Sequence, residues 1–201
     1  MKNDSMIIRT AKFTDAEGIA RVHDTSWWTT RKGLLPDEYL EKRSHEKRVM
    51  LWKYILSGEA KEIYENLITH IAENGTGEIT GFAYGGKKWK HNKVYIGELT
   101  GIYLLKEYQR QGIGRKMVSA FVQSLLSINI ERMMLWDMAE NDAIRFYEKL
   151  GGRKICENRL AIGDKEYTLL NYGWKDIRII LNDNASSMVE RNEIYDQTAK
   201  I

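Results

Sequence analysis

Gln109-Arg110-Gln111-Gly112-Ile113-Gly114-Arg115-Lys116 stands directly behind the apolar run Ile102-Tyr103-Leu104-Leu105. The order reads as a strand, a glycine turn and the start of a helix. Two glycines at this spacing keep side chains away, so several backbone N–H groups can converge on one point. A helix N-terminus adds the positive end of its dipole there, and Arg110, Arg115 and Lys116 add full charges. Such a turn suits a pyrophosphate. The same residues would also serve as a tight turn with solvated basic side chains, so the surroundings have to decide.

Downstream, Ile113, Met117, Phe121, Leu125 and Ile128 recur at intervals of four, four, four and three, which is one apolar face of a helix. Met133 to Met138 reads as a short strand. Asn141 is expected to cap a helix through Leu150, ended by Gly151-Gly152. Strands at about Lys154 to Ile162 and Tyr167 to Trp174 flank a turn at Gly163-Asp164. Upstream, a strand from about Val94 to Leu105 follows a hairpin of Leu67–Ala72 and Ile79–Gly85 around Asn74-Gly75-Thr76-Gly77. The chain opens with a strand, Met6 to Thr10. Thr14-Asp15-Ala16-Glu17 has the pattern of a capping box for a helix to about Trp28. A second helical stretch starts at Pro36-Asp37, and Ser44 interrupts it before Val49, Trp52, Ile55 and Leu56. The order strand, two helices, three strands, helix, strand, helix, two strands predicts an α/β (α+β) fold. Its sheet is mixed, mostly antiparallel, of about seven strands, with helices on both faces.

Composition narrows the classes. With 201 residues, 43% hydrophobic and 29% charged, the chain can bury a sizeable core. A net charge of +3 is too balanced to point to nucleic acid, yet it leaves room for a local anion pocket. The single cysteine, Cys156, can form neither an intrachain disulfide nor a zinc site. It reads as a small strand residue. No stretch approaches the roughly 18 apolar residues of a membrane helix, so a cytoplasmic protein with no membrane partner is expected. His23, His45, His70 and His91 show no metal spacing. Lys87-Lys88-Trp89-Lys90-His91-Asn92-Lys93 reads as a solvated loop between strands, with nucleic-acid binding the lesser alternative.

The order of elements resembles the GNAT fold of acetyl-coenzyme A-dependent N-acetyltransferases. Gln109-x-x-Gly112-x-Gly114 is similar to that family's Q/R-x-x-G-x-G/A pyrophosphate loop. Asn141-Asp142-Ala143-Ile144-Arg145-Phe146-Tyr147-Glu148-Lys149-Leu150-Gly151 resembles its second signature, N-x-x-A-x-x-F-Y-x-K-x-G. The resemblance spans roughly residues 6 to 174. Trp28, Gly33 to Leu40 and Tyr172 to Asp176 look like a bacterial subgroup whose acceptors are mostly unassigned. Two positions depart from many relatives: Lys106 stands where proline is common, and Gly152 where an aromatic residue is.

The resemblance implies acetyl-CoA as co-substrate, no metal, and a set of roles. The N–H of Ile102 would meet the acetyl oxygen and that of Leu104 the pantetheine arm, with Tyr103 between them. Gln109, Arg110, Gln111, Gly112, Ile113, Gly114, Arg115 and Lys116 would hold the pyrophosphate. Asn141, Ala143, Phe146, Tyr147 and Lys149 would line the donor from the second signature. Tyr147 would protonate the leaving thiolate; otherwise it is a core tyrosine. Glu98, eleven residues before Gln109, is the candidate base. On a regular strand it shares a face with Thr100 and Ile102. Otherwise it is solvated or paired with one of Lys87, Lys88, Lys90 or Lys93. Gly101 could let the strand bulge toward the ligand.

The family places the acceptor against the segment between the first two helices, here Trp27, Trp28, Arg31, Leu35 and Tyr39. A small-molecule amine is the first choice. A protein or peptide N-terminus, or a non-catalytic acyl-CoA sensor, are the alternatives. Residues 1–176 are expected to form the acetyltransferase domain. Residues 177–201 form a C-terminal extension that packs on the domain or on a homodimer partner, or frays.

Overall fold

The computed structural model of the chain describes residues 6–41, 44–60, 64–88 and 94–182. Within them, β1 (Ile7–Thr10) leads into α1 (Ala16–Arg31), α2 (Asp37–Glu41) and α3 (His45–Leu56). Then come β2 (Tyr64–Glu73), β3 (Ile79–Lys88), β4 (Gly97–Leu104), α4 (Ile113–Ser127), β5 (Met133–Met138), α5 (Ile144–Lys149), β6 (Arg153–Ile162) and β7 (Lys165–Trp174). One seven-stranded sheet has the order β1-β2-β3-β4-β5-β7-β6. Its single parallel neighbour pair is β4 with β5; the remaining pairs are antiparallel. The mixed, mostly antiparallel sheet with helices on both faces is as expected.

Strand alternation sorts the side chains onto the two faces. Ala72, Ala83 and Leu99 meet Met117, Phe121 and Leu125 of α4 on one face. Ile71 and Phe82 meet Ile19, Val22 and Trp52 of α1 and α3 on the other. The apolar stripe of α4 is buried throughout except Ile128, which lies beyond the helix end and is 37% exposed. His23 is buried on the α1 face, where it accepts from the Trp52 indole N–H at 3.2 Å.

Local detail departs from expectation at the capping box and at Lys87, and adds to it at Ser44 and in the C-terminal extension. The Thr14–Glu17 capping box does not form: a 3₁₀ turn at Phe13–Asp15 precedes α1. There the Asp15 carboxylate accepts from the Lys12 N–H at 2.6 Å and from Arg9 at 2.7 Å. Ser44 is the N-cap of α3, accepting from Lys47 N–H. Lys87 closes β3 and pairs with Glu65, while 89–93 of the basic loop lie outside the described residues. The start of the C-terminal extension, a 3₁₀ segment at Ile177–Leu181, is part of the core: Ile177 and Ile180 are fully buried with the α4 cluster. Residues 183–201 lie outside the described residues.

Candidate active site

The sheet is open at one place. β4 and β5 are registered only at Gly97↔Met133 and Glu98↔Met134. Beyond Glu98 the two strands part, and β4 runs on to Leu104 along the gap. The register against β3 shifts between Leu99 and Gly101, which is the bulge that Gly101 suggested. Its effect on parity was not foreseen. Leu99 and Ile102 are three residues apart, yet both pack on the α4 side. The extra residue therefore turns Glu98 to the α1 side of the sheet, where it is 7% exposed. Glu98, Thr100 and Ile102 do not share a face.

The bulge leaves the direction of the later N–H groups clear. Leu105 N–H donates to Thr80 O of β3 at 2.9 Å. In an antiparallel ladder, alternate residues point the same way. Tyr103 and Gly101 thus turn toward β3, and the N–H groups of Ile102 and Leu104 turn toward the gap.

The glycine loop closes one end of this gap. Gly112 is the N-cap of α4 with φ 78°, a left-handed conformation that favours glycine, and no side chain caps the helix. Lys116 N–H donates to Gly112 O at 3.1 Å, so the N–H groups at 113 and 114 precede the helical ladder. A Cβ on Gly112 would meet nothing within 4 Å, and one on Gly114 would first meet the Phe146 ring at 3.5 Å. The backbone here is open to a ligand. Gln109 braces the loop by donating to Leu104 O at 2.9 Å, and Gln111 by donating to Glu107 O at 2.8 Å. Arg110 and Lys116 are exposed. Arg115 is turned elsewhere: its guanidinium donates to Ile180 O at 3.2 Å and Asn182 O at 2.7 Å, tying the C-terminal segment to α4.

The second signature folds differently from the expected long helix. α5 spans only Ile144–Lys149. Asn141 precedes it as an Asx turn, its side-chain oxygen accepting from Ala143 N–H at 3.1 Å. Its amide donates to both Asp137 oxygens, at 2.9 and 2.8 Å. Tyr147 is buried, and its hydroxyl donates to Asp137 Oδ2 at 3.2 Å. Burial first, and then the Asp137 charge, push this hydroxyl well above the usual tyrosine range, so it stays a phenol. Phe146 stands over Gly114, while Lys149 is exposed. β7 fixes the helix from behind: the Tyr172 hydroxyl donates to Glu148 at 2.8 Å and the Trp174 indole to Leu150 O at 2.9 Å.

Asp137 is the residue that motif reading missed. It is 8% exposed and also accepts from Met138 N–H at 2.8 Å and from Arg31 Nη2 at 3.1 Å. Its signal was a lone charge inside the apolar strand Met133-Met134-Leu135-Trp136-Asp137-Met138, four residues before Asn141. Arg31 comes from α1 on the opposite face. It reaches Asp137, at the end of β5, where the strands have already parted.

Most of the expected acceptor wall gathers beside this contact. Trp27 and Tyr39 pack against the cluster of Leu35, Leu40, Met138 and Tyr167. The Arg31 guanidinium lies 5.4 Å from the Trp27 ring centre. Trp28 does not join them: it is 36% exposed, with Lys32 Nζ 5.7 Å from its ring centre.

Residues 24–152 match the acetyltransferase (GNAT) family. The chain belongs to the GNAT acetyltransferase family. It is 31% identical over 170 residues to an uncharacterized N-acetyltransferase, YuaI, of Bacillus subtilis (strain 168), covering 85% of this chain and 93% of that one. Its fold is similar to the PaiA N-acetyltransferase of Thermoplasma acidophilum in complex with coenzyme A, at TM-score 0.66 and 22% identity over 85% of this chain and 99% of that one. An N-acetyltransferase from Staphylococcus aureus Mu50 aligns at TM-score 0.65 and 17% identity, over 86% and 99% of the two chains.

As a GNAT enzyme the chain uses acetyl-CoA as its acyl donor. The residues present fit that donor: a glycine-opened helix N-terminus suits its pyrophosphate, and a strand edge turned to a gap suits its amide-bearing arm. One departure from the family also has a physical reason. A Cβ on Gly152 would stand 2.6 Å from the Trp174 ring, so this GNAT chain keeps glycine where Trp174 closes over the end of α5.

Proposed function

We propose that this acetyltransferase moves the acetyl group of acetyl-CoA to a primary amine of a small molecule by direct attack. The parted strands β4 and β5, with the Tyr147 hydroxyl held near their open end, carry this reading. A neutral amine attacks the thioester carbonyl carbon, and the carbonyl electrons move to oxygen. In this scheme the N–H of Ile102 takes that developing charge, as an oxyanion hole does, and the N–H of Leu104 holds the pantetheine arm. Collapse breaks the C–S bond. The thiolate takes the Tyr147 proton, which water then replaces. Glu98, directly or through water, takes the proton the amine loses. Its turn to the α1 side supports this role, because Arg31 and the Trp27 cluster come from α1 too. The pyrophosphate lies on the loop from Gln109 to Gly114. Cys156 is exposed on the outer strand β6, which offers no support for an acyl-cysteine route.

The amine-bearing wall is a compact aromatic and apolar cluster with one guanidinium, which suits a small acceptor. Thiol release from acetyl-CoA, measured across small primary amines and across peptides with free N-termini, tests the proposal. Acceleration by a small amine is expected. Acceleration by peptides alone would favour an N-terminal acetyltransferase. Tight acetyl-CoA binding with no amine-dependent release would favour a sensor.

A further inference from the structure

The Asp137 carboxylate is held by groups from both sides of the gap. Tyr147 and Asn141 reach it from the α5 region, Arg31 from α1, and Met138 through its own backbone N–H. None of these is needed to fold a strand, and an apolar residue would fill the place at less cost in desolvation. The carboxylate is nearly enclosed, and one of the donors that converge on it is the Tyr147 hydroxyl. A phenolic hydrogen lies in the ring plane and has two such settings. With Asp137 present, one of them is occupied by a charge-assisted hydrogen bond, which fixes the ring and the hydroxyl oxygen.

We propose that Asp137 is a positioning residue for acyl transfer: it sets the Tyr147 hydroxyl for its proton transfer to the departing sulfur and, through Arg31, anchors the acceptor wall to the same point. This rests on the acid role of Tyr147. Asp137 touches neither substrate; it acts through Tyr147 on the donor side and Arg31 on the acceptor side. During turnover the hydroxyl hydrogen swings from Asp137 to the sulfur, the O–H bond breaks as the S–H bond forms, and water returns a proton to the phenolate, while the Asn141 amide and Arg31 stay on the Asp137 carboxylate and offset its charge.

The test is a double-mutant cycle on the intact chain with Asp137→Asn and Tyr147→Phe. It follows thiol release from acetyl-CoA with the amine that the panel selects, and with hydroxylamine as a small surrogate. Asp137→Asn should lower kcat at least tenfold and leave the KM for acetyl-CoA within twofold. In the Tyr147→Phe background it should have little further effect on kcat, because the group it positions is gone. Asp137→Glu, which keeps the charge, should recover part of the loss. Equal losses in both backgrounds would overturn the proposal while leaving the acid role of Tyr147 intact. An unchanged kcat in Tyr147→Phe alone would overturn both. If Asp137→Asn fails to fold, Arg31→Lys with Asn141→Ser probes the same carboxylate from its partners. A loss of kcat that vanishes in the Tyr147→Phe background supports the proposal, and a loss confined to melting temperature overturns it.

Discussion

Removing the Tyr147 hydroxyl separates catalysis from packing. Tyr147→Phe keeps the ring in the α4–α5 core and deletes one donor to Asp137. A general acid is worth about 10² to 10⁴ in rate, so kcat should fall by at least about 10², with acetyl-CoA affinity by calorimetry nearly unchanged. A loss of folding instead would make the hydroxyl structural. Glu98→Gln should lower kcat/KM by about 10² or more; an unchanged kcat/KM would take the base role from Glu98. How far such residues could be read in advance differs. Tyr147 was legible because a motif surrounds it. Asp137 was not, because its partners Arg31 and Tyr147 lie 106 and 10 residues away and meet it only in three dimensions. Glu98 was read as a strand carboxylate, and it lies in β4, but its burial and its face were not legible, because the face depended on one extra residue at the bulge.

The loop and α4 work as one unit. Gly112 needs its left-handed backbone, and a side chain there costs about 1–2 kcal/mol from the conformation alone. Because a Cβ would meet nothing within 4 Å, Gly112→Ala should fold with a modestly lower melting temperature. Its acetyl-CoA affinity should fall by more than its stability does, since the helix N-terminus is displaced. Unchanged affinity would argue against the loop as the pyrophosphate site. The elements themselves were largely legible from periodicity: α4 from its repeat of four, β5 from its apolar run, the β2–β3 hairpin from Asn74 to Gly77. The exceptions have local causes. Asp15, bonded to Arg9, replaced the expected capping box, and Asn141 spent its side chain on Asp137 and an Asx turn, which shortened α5.

Across the molecule, the sheet holds together everywhere except between β4 and β5, and the C-terminal 3₁₀ segment braces α4 from behind. Ile177 and Ile180 are fully buried, and Arg115 donates to the carbonyls of that segment. Ending the chain after Asp176 exposes the α4 surface they cover and should cost roughly 3–6 kcal/mol, as two large aliphatic side chains lose their burial. Chemical denaturation would measure it. A change under 1 kcal/mol would mean that the segment only rests on the domain. The sequence pattern could place Ile179, Ile180 and Leu181 as apolar but not say what they cover, since the partner helix lies some sixty residues earlier. The central claim is that acetyl-CoA is held in the gap between β4 and β5. A crystal structure of the complex with acetyl-CoA tests it most directly. The pyrophosphate is predicted on the loop from Gln109 to Gly114, the acetyl oxygen within hydrogen-bond reach of Ile102 N–H, and the sulfur beside the Tyr147 hydroxyl. Acetyl-CoA bound elsewhere on the molecule, with the gap between the strands unfilled, would contradict it.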